Sequence, residues 1–89
     1  MNQTYTVHPE LVVETQQGVV YLIPTGLSPI RLNRSASLLW PIVQSTRSDA
    51  EAAGLLARQE ETTLERAGAL VAPFITELID RGVLVASVP

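Results

Sequence analysis

A short apolar strand that runs directly into a helix is the feature that most constrains this chain. Ile30 and Leu32 lie two residues apart, which is the period of a strand with one buried face, and Pro29 and Arg31 alternate with them. Asn33 follows at an N-cap position, where a helical stretch begins. Because proline cannot donate a main-chain hydrogen bond, it is confined to edge strands, first strand positions or bulges, so Pro29 makes this stretch a candidate sheet edge. Such an edge is either protected or used for binding.

This strand is predicted to complete an antiparallel sheet. Residues 11–15 and 19–23 are rich in β-branched side chains, and a compact turn at residues 16–18 joins them into a hairpin. Residues 30–32 then form the third strand of the meander. Residues 5–7 carry a weak strand signal, and residues 83–86 predict a short last strand or an extended tail.

After Asn33 the apolar period becomes helical. The first helix presents one apolar face, and Pro41 is expected to weaken its hydrogen-bond ladder. Capping-box patterns at Ser48 and Thr62 open a second helix, which continues to about Arg58, and a third, longer helix that stops at Gly82. The expected apolar face of the first helix consists of Leu38, Leu39, Ile42 and Val43, and the expected core positions of the third include Leu64, Val71, Phe74 and Leu78.

The order of elements predicts a single α+β domain over residues 1–89, with residues 1–10 loosely ordered. Its expected architecture is winged helix-turn-helix-like, with a three-stranded antiparallel sheet followed by three helices. The 46% hydrophobic content of the 89 residues is typical of a packed globule. No apolar run reaches the roughly 20 residues of a membrane span, and the N-terminus does not resemble a signal peptide, so we expect a cytoplasmic location.

The residue types argue against catalysis and metal binding. The chain has no cysteine, and its one histidine, His8, lies beside a proline with no acidic cluster in register. One imidazole cannot complete a usual zinc site. Ser35 and Ser37 have no histidine nearby, and capping explains them better than nucleophilic catalysis. We therefore expect no enzyme activity, no cofactor and no metal.

DNA binding is weakened by the charge pattern. The net charge is −3, and the first turns of the third helix offer Arg66 alone against Glu61 and Glu65. A recognition helix needs side chains that reach phosphates and base edges, and carboxylates repel phosphates. A small winged-helix DNA-binding regulator therefore remains only an alternative, and no nucleic-acid partner is expected.

Two short motifs, in this order, resemble the PqqD-like proteins. Residues 32–40 follow the pattern LN-x-x-A-x-x-[IL]-W, and residues 81–84 follow RG-[LV]-[LV]. Members of this family are recognition elements for the precursor peptides of ribosomal peptide natural products. The resemblance covers about residues 11–85. It implies a peptide-binding module that is not an enzyme.

The resemblance also implies a site and partners. In similar proteins the leader segment of a precursor peptide adds as a strand to the third strand of the sheet and packs into a cleft against the third helix. The implied partners are this leader and a separate maturation enzyme, with a cysteine-protease-like leader peptidase of lasso-peptide biosynthesis favoured and a pyrroloquinoline-quinone-type peptide chaperone as the alternative. The strand partners that the resemblance implies are Pro29, Ile30, Arg31 and Leu32. On the third helix, one flank at i, i+4, i+7 and i+11 mixes apolar and charged side chains, as a peptide cleft does; with Phe74, the predicted residues there are Arg66, Leu70, Pro73 and Glu77. The alternative is that Leu70 completes the core and the charged side chains are solvated.

Overall fold

The computed structural model describes residues 3–87 of this chain. The fold is a compact α+β arrangement of three helices and two small antiparallel sheets, one of which has three strands. The elements in chain order are β1 (Tyr5–Val7), β2 (Val12–Gln16), β3 (Val19–Ile23), β4 (Ile30–Arg31), α1 (Arg34–Gln44), α2 (Asp49–Gln59), α3 (Leu64–Asp80) and β5 (Leu84–Ala86).

The three-stranded sheet is the predicted meander, with strand order β2–β3–β4. Its hairpin closes at Gln17 and Gly18, whose φ angles of 52° and 78° are both left-handed. A two-residue type I′ turn requires a positive φ angle at both central residues, and its geometry matches the right-handed twist of the two strands that it joins. β4 is shorter than predicted, because only Ile30 and Arg31 have strand geometry. The chain then turns into the N-cap of α1.

The second sheet pairs the first strand with the last. Tyr5 lies opposite Ala86 and Val7 opposite Leu84. The sequence carries a weak strand signal at residues 5–7, predicts a short strand or an extended tail at residues 83–86, and does not predict that the two pair. The Tyr5 N–H donates to the Arg47 carbonyl at 2.9 Å, and the Tyr5 side chain is buried. Residues 1 and 2 of the segment expected to be loosely ordered lie outside the described residues.

The helix starts follow from side-chain caps. The Asn33 side chain accepts the N–H of Ala36 at 2.8 Å, and the Ser48 hydroxyl accepts that of Glu51 at 3.1 Å, as the sequence predicts. The third cap was predicted one residue too early. Thr63, not Thr62, accepts from the backbone N–H at the third helical position.

Both prolines inside helices are tolerated. α1 continues through Pro41 to Gln44, and α3 continues through Pro73 to Asp80. Each ring lies on an exposed face of its helix. The carbonyl that loses its helical donor at Pro73 belongs to Ala69, which is exposed to water, whereas the one at Pro41 belongs to the buried Ser37. Gly82, with φ of 77°, follows the end of α3 as predicted.

The predicted apolar face of α1 was partly wrong. Trp40 and Val43 are buried, whereas the Leu38 side chain is 70% exposed. Residues 38 and 40 lie about 200° apart around a helix, so burial of the indole turns Leu38 outward. Two predicted core positions of α3 also differ, since Leu64 is exposed and Phe74 is only partly buried. The fully buried core joins all three helices to β3 through Leu22, Val43, Ala52, Val71 and Ile75.

Candidate functional site: the β4–α3 cleft

A cleft of about 310 Å³ separates β4 from the C-terminal half of α3. Six of the residues predicted from the sequence line it: Pro29, Ile30, Arg31, Leu32, Phe74 and Glu77. Sequence reasoning missed the others, which are Asn33, Ala36, Leu78 and Arg81. The spacing of Glu77 and Arg81 along one helix face was the available signal for Arg81.

The remaining predicted residues do not reach this cleft. Arg66 and Leu70 line a separate groove nearer the start of α3, and Pro73 is exposed and lines neither surface. The predicted peptide-binding residues of α3 therefore do not lie on one surface.

β4 leaves main-chain groups free at its outer edge. Leu32 donates its N–H to the Val20 carbonyl at 2.9 Å. Because the main-chain groups of successive strand residues point to opposite edges, the N–H and C=O of Arg31 face away from β3. The Asn33 N–H, two residues further on, points to the same outer edge and has no hydrogen-bond partner in residues 3–87. Pro29 can offer only a carbonyl at this edge.

A buried hydroxyl holds β4 in place where its own ladder is short. The Ser37 Oγ accepts the Val20 N–H at 3.1 Å and donates to the Leu32 carbonyl at 3.3 Å. Ser37 is 6% exposed. Its hydroxyl therefore ties α1 to β3 and β4. The prediction that Ser37 acts as a cap was wrong, because Asn33 caps this helix.

The lining of the cleft mixes apolar and charged side chains. Ile30 and Phe74 are partly buried against the core, and Arg31 lies exposed at the rim. Glu77 and Arg81 form an ion pair at 3.2 Å, the only one in the part of the chain that the structure describes. Both side chains are more than half exposed, so this pair contributes little stability and can exchange partners with a ligand.

Polar side chains outside the cleft make local structural hydrogen bonds. The His8 Nδ1 accepts the N–H of Glu10 at 3.1 Å, so this imidazole is held in a local turn. Within residues 3–87 no group of three or more potential metal ligands comes together, and no helix is long and apolar enough to span a membrane. Burial raises the pKa of the Tyr5 hydroxyl, which hydrogen-bonds the Thr46 hydroxyl at 2.8 Å, far in sequence from the cleft.

Comparisons of this chain with protein-family models, curated proteins and solved structures find no match. The resemblance to PqqD-like proteins therefore depends on the two sequence motifs and on the order of the elements.

Proposed function

We propose that this protein binds the leader segment of a ribosomally made precursor peptide in the β4–α3 cleft. The observation that carries the proposal is the free main-chain edge of β4 beside a cleft whose lining mixes the apolar Ile30 and Phe74 with charged side chains. Strand addition takes its affinity from main-chain hydrogen bonds and its specificity from pockets for alternate side chains. This cleft offers both within a few residues.

The geometry of the edge defines a register for the added strand. A guest residue opposite Arg31 can accept from its N–H and donate to its C=O, as in a hydrogen-bonded antiparallel pair. The Asn33 N–H and the Pro29 C=O extend the ladder by one bond at each end. The guest strand therefore needs about five residues, and the residue opposite Arg31 must itself have an N–H, which excludes proline there.

The side chains of the guest strand alternate between two environments. The residue opposite Arg31 points to the same solvent-facing side as the Arg31 side chain, and its two neighbours point to the side of Ile30 and Leu32. These neighbours reach the cleft wall formed by Phe74. The preferred segment is therefore apolar, then variable, then apolar, and its flanking charges meet Arg31, Glu77 and Arg81.

We further propose that binding leaves the peptide chemically unchanged and delivers it to a separate maturation enzyme in the cytoplasm. The sheet and three helices would then form a winged-helix scaffold used for peptide recognition. Lasso-peptide biosynthesis, with a cysteine-protease-like leader peptidase, is the favoured pathway on the resemblance alone.

Isothermal titration calorimetry with the leader of the precursor peptide encoded beside this gene tests the proposal. We expect saturable one-to-one binding, and Ile30→Asp should weaken it at least about tenfold, because the new carboxylate faces the apolar side of the guest strand. Val13→Asp places the same charge on the opposite edge of the sheet and should leave affinity unchanged. Absence of saturable leader binding, or a salt-dependent shift of promoter DNA in its place, would overturn the proposal.

A further inference from the structure

A smaller cavity continues the β4–α3 cleft past the start of β4. This cavity, which we call the side pocket, has a volume of about 200 Å³. Ile30 and Arg81 line both the side pocket and the cleft, so the two adjoin each other. The other lining residues of the side pocket belong to the connection between β3 and β4, and these are Pro24, Leu27 and Ser28.

A turn holds the apolar side of this pocket in place. The Leu27 N–H donates to the Pro24 carbonyl at 3.2 Å, and Gly26 between them has a left-handed φ of 74°. Pro24 is buried, whereas Leu27 is 59% exposed. A Cβ added at Gly82 would lie 3.7 Å from the Leu27 Cδ1, which places this leucine beside the C-terminal end of α3. The side pocket therefore has an apolar wall that the fold itself positions.

The charge of the side pocket is positive. Among residues 3–87, Arg81 is the one charged residue that lines it. The Arg81 guanidinium pairs with Glu77 at 3.2 Å, and Glu77 lines the cleft but not the side pocket. A guanidinium carries several N–H donors in a fixed fork, so a contact with one carboxylate leaves donors for a second. Arg81 can therefore receive an anionic group from the side pocket.

We propose that an acidic residue of the leader, placed just after the added strand, enters the side pocket and binds Arg81, a proposal that rests on the function proposed above. An acidic side chain suits both parts of the lining. Its carboxylate accepts charge-assisted hydrogen bonds from the guanidinium, and its aliphatic stem contacts Leu27 and Ile30.

The direction of the guest strand determines which of its ends reaches this pocket. In the antiparallel pairing described above, the guest residues that follow the one opposite Arg31 pass Ile30 and then Pro29. The side pocket lies at that end, because its lining includes Leu27 and Ser28, which precede β4. Side chains alternate along a strand, so the third guest residue after the one opposite Arg31 faces the same side as Ile30. This third position is where the acidic residue is expected.

Isothermal titration calorimetry with the leader of the precursor peptide encoded beside this gene tests the acidic position. Each Asp and Glu of the leader is replaced in turn by its amide, and truncation of the leader defines the segment that binds. We expect one replacement just after that segment to weaken binding about tenfold, and Arg81→Gln to weaken binding of the unmodified leader by about the same factor. The two changes together should weaken binding no more than either alone, because both remove the same pairing.

Glu77→Gln provides a test of opposite sign. Glu77 competes with the leader carboxylate for Arg81, so loss of its charge should tighten leader binding about threefold. A merely structural role of the ion pair predicts instead that Glu77→Gln and Arg81→Gln weaken binding alike. Arg58→Gln is the matched control and should leave affinity unchanged, since Arg58 is exposed on α2 and lines neither the cleft nor the side pocket.

The possible results separate the acidic position from leader binding itself. Saturable binding of a leader in which no acidic residue is coupled to Arg81, or weaker binding with Glu77→Gln, would overturn the acidic position and leave leader binding standing. Coupling of Arg81 to an acidic residue before the bound segment would overturn the position as well, because it would reverse the direction of the strand. Absence of saturable leader binding would refute both proposals.

Discussion

The two outer strands of the three-stranded sheet differ in what lies beside them. β2 pairs with β3 along all five of its residues, yet every one of them is exposed, including Val12 at 52%. β4 has only two residues, but Ile30 packs against the core and faces the cleft wall at Phe74. The side chains of the longer edge strand, β2, are exposed on both faces, whereas the shorter edge strand, β4, lies beside α3.

This difference separates two contributions to peptide recognition. Main-chain hydrogen bonds are the same for any sequence, so β2 could pair with a guest strand but could not select one. Glu14 places a charge in the middle of β2, a common protection against unwanted pairing. Selectivity requires side-chain pockets, and among residues 3–87 the described cleft lies beside β4, whereas all five residues of β2 are exposed. The proposed binding edge is therefore the shorter of the two.

The largest expected effect comes from removing the wall beside β4. Phe74→Ala should weaken leader binding about 30-fold, equivalent to about 2 kcal/mol, because an aromatic side chain supplies much of the apolar contact area. Calorimetry with the leader gives the affinity, and Thr15→Ala on β2 is the control. Unchanged affinity with Phe74→Ala would remove the distinction between the two edges.

The next effect concerns how β4 is anchored. Ser37→Ala should lower the free energy of unfolding by about 2 kcal/mol, because the buried Val20 N–H loses its partner. Ser35→Ala changes an exposed hydroxyl of the same helix and should have little effect. Denaturant unfolding followed by the fluorescence of Trp40, the one tryptophan, provides the measurement. Equal costs for the two variants would contradict a structural role for the Ser37 hydroxyl.

A smaller effect tests whether β2 contributes to binding at all. Gly18→Ala should destabilise the protein by about 1 kcal/mol, because an alanine is strained at the positive φ of the hairpin turn. Leader affinity should not change if β4 is the binding edge. Gly54→Ala is the control of opposite sign, since an added Cβ there meets no atom within 4 Å and alanine favours the helix. A parallel loss of leader affinity with Gly18→Ala would assign binding to the hairpin.

The smallest effect concerns Tyr5 of the second sheet and the pH dependence that it gives to the stability of the fold. The raised pKa of Tyr5 means that the folded state favours the neutral hydroxyl, first because of burial and then because of nearby Glu51 and Asp49. Its contribution to stability is complete below pH of about 10 and is lost as the pH rises through the folded-state pKa. Tyr5→Phe should flatten the alkaline fall in denaturant stability. An identical fall in this variant would exclude Tyr5 as its cause.

The sequence predicted the elements that depend on local chemistry. The hairpin, the Asn33 and Ser48 caps and the stop at Gly82 each follow from residue types within one turn of the chain. The cleft was also predicted in outline, since β4 and the helix that faces it were both identified. The predicted extent of the cleft along α3 was less accurate, because helical spacing alone does not show which residues of one helix face line the cleft and which line another surface.

Features set by distant contacts could not be predicted. Leu38 fits an apolar stripe as well as Trp40 does, and only packing against the core decides which of them is buried. The role of Ser37 depends on a β3 amide that is brought close by the fold. The pairing of β1 with β5 has no local signature, because short strands of similar composition carry no information about their partners.

That last pairing has a consequence for the order of folding. Joining Tyr5 to Ala86 closes a loop of nearly the whole chain, so its entropic cost is met only when the intervening helices have already shortened the distance. The hairpin and the helices are local and can form first. We therefore expect substitutions in β1 to accelerate unfolding while leaving the refolding rate almost unchanged. The ratio of the change in folding activation free energy to the change in stability, measured by stopped flow, should be near zero. A ratio near one at Tyr5 would instead place the joining of the two ends in the folding nucleus.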